Sequence, residues 1–165
     1  MQEVARSFAD FHRWALLRLL ATVKPLSDAD YRRDCGLYFH SLHGTLNHLL
    51  VGERTWYARF TGSECAHRAL EEEAEAERSR LAFELAAQAE RWREFVDTLD
   101  DATLGGDLRY RTMNGLPSVT PFGPTLLHVF THGVHHRGQC TVALTMQGHA
   151  APELDYIYFL RAVKG

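Results

Sequence analysis

The chain has 165 residues, of which 45% are hydrophobic and 24% charged, and its formal net charge at pH 7 is −3. These values are typical of a globular protein, and they predict one domain over residues 1–165 with a buried core. The small negative charge excludes the basic surface that DNA- and RNA-binding proteins need. No run reaches the roughly 18 apolar residues of a membrane span, so we expect neither a nucleic-acid nor a membrane partner.

Helical periodicity predicts two long helices in the first part of the chain. Apolar residues recur at helical spacing over residues 8–20, and this helix ends before Lys24 and Pro25. Residues 27–30, Ser-Asp-Ala-Asp, predict one short helical turn. A second long helix is predicted for residues 40–60, which Thr61 and Gly62 end.

The middle of the chain alternates between polar and helical stretches. Residues 63–80 are mainly charged, and a solvated segment is the favoured interpretation over an acidic metal-binding patch. A third long helix is predicted for residues 81–99. Strand-forming residues around Asn114 and Gly115 predict a short hairpin or an ordered loop over residues 107–123.

The longest predicted helix spans residues 124–148, PTLLHVFTHGVHHRGQCTVALTMQG, between Pro124 and Gly148. A short last helix is predicted to begin at Pro152. Four long helices joined by long crossovers predict an all-α fold, a four-helix bundle with a short hairpin or loop before the fourth long helix and a short C-terminal helix.

Histidine is the unusual residue, because five of the ten histidines fall within the last forty residues. On the longest helix His128, His132 and His136 rise along one stripe, with His135 and Gln139 beside it. The same face continues through three residues that predict an inward orientation: Val142, Ala143 and Met146. Imidazoles that face a core need partners, and a divalent metal ion would satisfy several of them at once.

His132 and His136 lie one helical turn apart, so both rings can reach one ion. His48 is the third candidate, because it lies among leucines in the second long helix, where a ring without a partner would be costly. Three neutral imidazoles leave a coordination position open, as in catalytic sites. Zinc fits this donor set, and nickel or another first-row divalent ion is the alternative.

Other side chains near the pair leave several interpretations open. His128 and Cys140 each lie one turn away and are alternative ligands, although packing roles are favoured for both. Gly133 follows His132, which excludes the HExxH signature, and Glu53 lies about 140° around the helix from His48.

Some polar residues receive structural roles. We expect Arg137 to form an ion pair with Asp155 in preference to binding a substrate carboxylate, and Gln139 to orient a ligand imidazole. His40 and His43 are interpreted as surface or capping residues, and His12 receives no role. The three cysteines, Cys35, Cys65 and Cys140, form no CxxC pair, and without a signal-peptide pattern they predict a reducing, cytoplasmic location.

Three stretches, TLNHLLVGERTWYARFTG at 45–62, HVFTHGVHHRGQ at 128–139 and PELDYIYFLR at 152–161, resemble the DinB/YfiT-like family of metal-dependent proteins. The resemblance implies a four-helix bundle, a metal ion held by His48, His132 and His136, and a homodimer. Some relatives are transferases or isomerases that activate a low-molecular-weight thiol, such as bacillithiol or mycothiol, at the metal.

Two functions are therefore expected from the sequence. The first is a metal-dependent transferase that moves such a thiol cosubstrate to a small electrophile, or a metal-dependent hydrolase of a small-molecule substrate. The second is a metal-dependent binding or stress-response module without turnover. A bundle whose histidines are only core residues is the remaining alternative, and it predicts little effect of a chelator on the melting temperature.

Overall fold

The computed structural model describes residues 1–163, so the last two residues of the predicted domain lie outside the described residues. The elements in chain order are α1 (Gln2–Val23), α2 (Asp28–Tyr31), α3 (Leu42–Thr61), α4 (Arg78–Asp97), α5 (Asp101–Leu104), β1 (Asp107–Arg111), β2 (Pro117–Pro121), α6 (Phe122–Met146) and α7 (Tyr156–Ala162). The prediction of an all-α bundle with a small hairpin and a short last helix is confirmed.

Local sequence signals explain where these elements begin and end. The Ser41 side chain accepts a hydrogen bond from the Gly44 amide at 3.1 Å and so caps the start of α3. Gly62 ends α3 in the left-handed conformation, with φ of 68°. Gly115, with φ of 82°, occupies the turn between β1 and β2, whose strands pair antiparallel from Asp107 opposite Pro121 to Arg111 opposite Pro117.

The four long helices enclose the core, since α1 and α3 both pack against α4 and α6. One end of the bundle is filled mainly by leucines, and the other end is filled mainly by aromatic side chains around the buried Trp92. The hairpin packs against α3 and α6 at the aromatic end, and α7 packs against α1. The packing of α3 against α6 brings the middle parts of these two helices together.

The inward orientation predicted for the C-terminal half of α6 is wrong for two of its three residues. Ala143 is buried, but Val142 is 53% exposed and Met146 is 68% exposed. The most buried stripe of α6 instead consists of Leu126, Phe130, Gly133, Arg137, Cys140 and Leu144. The histidine stripe therefore runs along the margin of the buried face, so its rings lie close to solvent while they still contact α3.

Within residues 1–163, no helix is both long enough and apolar enough to cross a membrane.

Candidate metal centre

His48 is held in the middle of α3 by contacts on two sides. Its Nδ1 lies 3.0 Å from the Leu70 carbonyl oxygen, which can only accept, so Nδ1 carries the proton and donates it. The Phe39 ring stacks on the imidazole with 3.8 Å between the ring centroids. The unprotonated Nε2 is consequently the atom of His48 that is free to bind a ligand.

His132 and His136 extend from successive turns of α6 toward His48. Their Nε2 atoms lie 3.0 Å apart. His136 Nδ1 lies 2.7 Å from Gln139 Oε1, and because that oxygen accepts, His136 donates from Nδ1 and keeps a lone pair on Nε2. The prediction that Gln139 orients a histidine ring agrees with this contact.

The structure brings together all three histidines that the sequence singled out. One ring nitrogen from each of His48, His132 and His136 lies within 4.8 Å of the other two. Two nitrogens bound to one tetrahedral zinc ion at about 2.0–2.1 Å would lie roughly 3.3 Å apart, so small ring movements would bring the three into a coordination shell. The donor set and its spacing fit a divalent ion.

The environment of the rings keeps them uncharged. Burial, reinforced by the neighbouring imidazoles, lowers the pKa of His132 from 6.5 to about 3. Burial also lowers the pKa of His136 to about 4 and shifts the pKa of His48 downward. A metal ligand must be the neutral imidazole, and all three rings are in that form at neutral pH.

Glycine at position 52 gives His132 its place against α3. A Cβ atom at Gly52 would lie 3.2 Å from His132 Cε1, a distance at which the ring would have to move. Gly52 was not among the residues predicted from the sequence to form the site. The sequence signal is a glycine inside an otherwise regular helix, one turn after His48. Glycine destabilises a helix interior, so its presence there usually indicates that another group packs closely against the backbone.

Neither alternative ligand joins the cluster among the described residues. Cys140 is buried in the leucine-rich core, where burial raises the pKa of its thiol to about 12. His128 is exposed, and its ring packs against Trp56 with 5.4 Å between centroids. Three histidines without a fourth protein ligand match the composition of an open, catalytic type of site.

The charged segment between α3 and α4 is mostly exposed, as the sequence predicted, but it is also attached to α3. Asn47 bonds the backbone of Glu75 through both its side-chain atoms, at 2.9 and 3.1 Å. His43 is buried and lies 2.7 Å from a Glu73 carboxylate oxygen, so its prediction as a surface or capping residue is wrong. These contacts attach to α3 the same segment that carries the Leu70 carbonyl bonded to His48. The sequence signal for this attachment was Asn47, a polar residue among leucines that needs a hydrogen-bond partner.

A second buried polar group lies behind α6, and it corrects the prediction for Arg137. Arg137 is 2% exposed, and its Nη1 lies 3.0 Å from Nδ1 of the buried His12. His12 Nε2 lies 3.0 Å from an oxygen of Glu53, which is also buried. Within residues 1–163, no ion pair joins Arg137 to Asp155. Burial lowers the pKa of Arg137 to about 10 against the opposing effect of Glu53.

Only weak sequence signals indicate this Arg137–His12–Glu53 group. His12 lies on the apolar side of α1 and Glu53 lies in a buried stretch of α3. Each of these polar side chains therefore needs a buried partner. Because the three come from three different helices, only the packing of the bundle could pair them. The group holds α1, α3 and α6 together directly behind the histidine cluster.

Comparisons with known proteins relate almost the whole chain to one family. The model of the DinB family matches residues 1–163. The chain is 24% identical to the curated protein named Protein DinB of Bacillus subtilis (strain 168) over 170 aligned positions, which cover 99% of this chain and 98% of that protein.

Proposed function

The chain belongs to the DinB family, and we propose that it binds one divalent metal ion through His48, His132 and His136. The observation that carries the proposal is the convergence of three neutral ring nitrogens, two of them with tautomers fixed by hydrogen bonds to Leu70 and Gln139. Zinc or nickel is the proposed ion, because both bind imidazole well.

A divalent ion in such a site supplies Lewis acidity, which lowers the pKa of a water or thiol that binds to it. Hydrolysis usually also needs a carboxylate or another base beside the ion, and no Asp or Glu of the described residues joins the histidine cluster. A thiol needs no separate base once its proton is lost, because the thiolate is itself a strong nucleophile. We therefore favour transfer of a low-molecular-weight thiol to a small electrophile over hydrolysis.

The protein's own residues have two roles in this proposal. Leu70 and Gln139 hold the His48 and His136 rings with their Nε2 atoms toward the ion. Phe39 covers one face of His48 and lies edge-on to His136, which excludes water from that side. His132 keeps more solvent-accessible surface than His48 or His136, so a substrate would approach from its side of the cluster.

One observation favours a second function, a metal-dependent binding or stress-response module without turnover. His48 is only 5% exposed and His136 only 6% exposed, which is low for rings beside a substrate. In that case the ion would stabilise the bundle or capture a ligand. Metal removal would then lower the melting temperature, while no thiol would be consumed at any concentration.

The test is an assay of purified metal-loaded protein with bacillithiol or mycothiol and 1-chloro-2,4-dinitrobenzene. In the reaction the thiolate sulfur bonds to the ring carbon, the carbon–chlorine bond breaks, chloride leaves and the thiol proton goes to solvent. We expect turnover in the wild type and in His135→Ala, which removes an exposed neighbouring ring. Equal turnover in a folded His132→Ala variant would contradict the proposed function.

We also propose a cytoplasmic homodimer that has small molecules, and neither membranes nor nucleic acids, as partners. The three cysteines support the location, because the structure describes each of them as a free thiol. Sedimentation of the purified protein at micromolar concentration tests the dimer, and a monomer under those conditions would contradict it.

A further inference from the structure

A cavity lies at the aromatic end of the bundle, and the histidine cluster is not part of it. It has a volume of about 410 Å³ and opens between the last turns of α3, the segment after it and the β1–β2 hairpin. None of its lining residues is acidic, and none is His48, His132 or His136. Four arginines line it: Arg59, Arg68, Arg109 and Arg111. This size is within the range of small-molecule sites.

The four guanidinium groups lack carboxylate partners in the part of the chain that the structure describes. None of them forms an ion pair there, whereas eight other arginines do. The nearby Glu72 is already bound to the His67 ring and to the amides of Arg68 and Ala69. The cavity thus concentrates positive charge in a chain whose net charge is −3.

Two of the arginines are held in place by their surroundings. The Arg59 guanidinium lies 4.4 Å from the Trp56 ring centroid and 4.9 Å from that of Tyr110. A guanidinium stacked on aromatic faces keeps its N–H groups directed outward in its plane, where they can bond an anion. Arg111 donates a hydrogen bond to the Gly115 carbonyl at 2.7 Å, which fixes its side chain along the hairpin.

The hairpin sets the spacing between two of the charges. Arg109 and Arg111 are separated by one residue in β1, so their side chains leave the same face of the hairpin, roughly 7 Å apart along the strand. Such a separation suits two anionic groups on one small molecule, or the several oxygens of one phosphate, because guanidinium binds both carboxylate and phosphate in a bidentate manner.

We propose that this cavity binds a small molecule that carries at least two negative charges as carboxylate or phosphate groups. Packed rings join the cavity to the histidine cluster: the lining residue Tyr110 contacts Trp56, Trp56 contacts His128, and His128 contacts His132. The inference does not depend on a metal ion in that cluster.

The test is isothermal titration calorimetry with succinate and with inorganic phosphate at constant ionic strength, and with acetate as the single-charge comparison. We expect at least one dianion to bind the wild type about tenfold or more tightly than acetate. The double variant Arg109→Gln/Arg111→Gln should weaken that binding at least tenfold. The control, Arg91→Gln/Arg161→Gln, removes the same charge from exposed positions and should change affinity less than twofold.

Further measurements make each outcome decisive. If the hairpin variant does not fold, Arg68→Gln in the irregular segment replaces it, with the same expectation of weaker binding. A His132→Ala variant should retain dianion binding, and loss of binding there with retention in the arginine variants would overturn the proposal. The proposal would also be overturned if the wild type bound no dianion, or if the arginine variants bound dianions as tightly as the wild type. Binding of single-stranded RNA without binding of any small dianion would overturn it as well.

Discussion

His132 Nε2 lies 3.0 Å from His136 Nε2, and the Gln139 contact leaves the His136 atom with a lone pair directed at its neighbour. Two lone pairs repel at that distance, so either a proton or a cation must lie between the nitrogens. His48 Nε2 approaches the same point from α3. A divalent ion satisfies all three nitrogens at once, whereas a proton satisfies only two.

The first prediction concerns Gln139, which positions His136. Gln139→Ala removes the acceptor for His136 Nδ1–H, and because the ring then loses its fixed orientation, metal affinity should fall about 10- to 100-fold. Gln139→Glu keeps an acceptor oxygen and should bind metal at least as tightly as the wild type. Competition with a chromogenic chelator measures both, and equal affinity of the alanine variant would contradict the positioning role.

The second prediction concerns the stability of the metal-free protein at mildly acidic pH. The folded-state pKa values of His132 and His136, about 3 and about 4, lie below the ordinary 6.5. Between these values the unfolded chain binds more protons, so the free energy of unfolding should decrease as pH falls below 6.5. The contribution is fully present above pH 6.5. Urea unfolding between pH 7.5 and 5 measures it.

A control separates these two rings from the other titrating groups. The double variant His132→Gln/His136→Gln should lose part of this pH dependence, because glutamine does not titrate. If the free energy of unfolding depends on pH equally in the variant and in the wild type, groups other than these two rings cause the loss of stability, which would contradict the prediction.

The third prediction concerns the buried Arg137–His12–Glu53 group. Glu53→Gln removes the only negative charge of the group and leaves the Arg137 cation buried, so it should lower the free energy of unfolding by about 3–5 kcal/mol. Asp97→Asn breaks the exposed pair with Arg6 and should cost about 1 kcal/mol or less. Urea denaturation measures the free energy of unfolding of both variants. An effect of Glu53→Gln as small as that of Asp97→Asn would contradict the stabilising role of Glu53 beside the buried Arg137.

The fourth prediction compares two glycines of α6. A Cβ atom at Gly133 would lie 2.7 Å from His12 Nδ1 and 2.8 Å from Arg137 Nη1, so Gly133→Ala should destabilise the fold by about 1–3 kcal/mol. Gly138 is exposed with open space beside it, and Gly138→Ala should stabilise the helix by up to about 1 kcal/mol. Opposite signs in thermal unfolding are expected, and a stabilising Gly133→Ala would contradict the packing.

The helices and the three histidines could be predicted from sequence because periodicity and caps are local signals. Gly62 ends α3 as its sequence position indicated, and the spacing of His132 and His136 placed both rings on one side of α6. His48 was identifiable because an imidazole among leucines needs a partner.

The remaining errors involve contacts between distant parts of the chain. The pairing of Arg137 with His12 joins residues 125 positions apart, and nothing local distinguishes it from the expected partner Asp155. Asn47 indicated a buried polar contact, but its partner could not be identified from sequence, because the partner atoms belong to the Glu75 backbone and every residue carries the same backbone groups. Val142 and Met146 were misplaced because the buried stripe of α6, which includes Arg137 and Cys140, lies roughly 120° around the helix from the histidine stripe on which the prediction was centred.

The most direct test of the account is elemental analysis of tag-free protein, with the wild type beside His48→Ala, His132→Ala and the control His135→Ala. We predict close to one zinc or nickel ion per chain in the wild type and in the control, and loss of the ion in the other two variants. No metal in the wild type after reconstitution, or full metal content in His48→Ala and His132→Ala, would contradict the three-histidine metal centre.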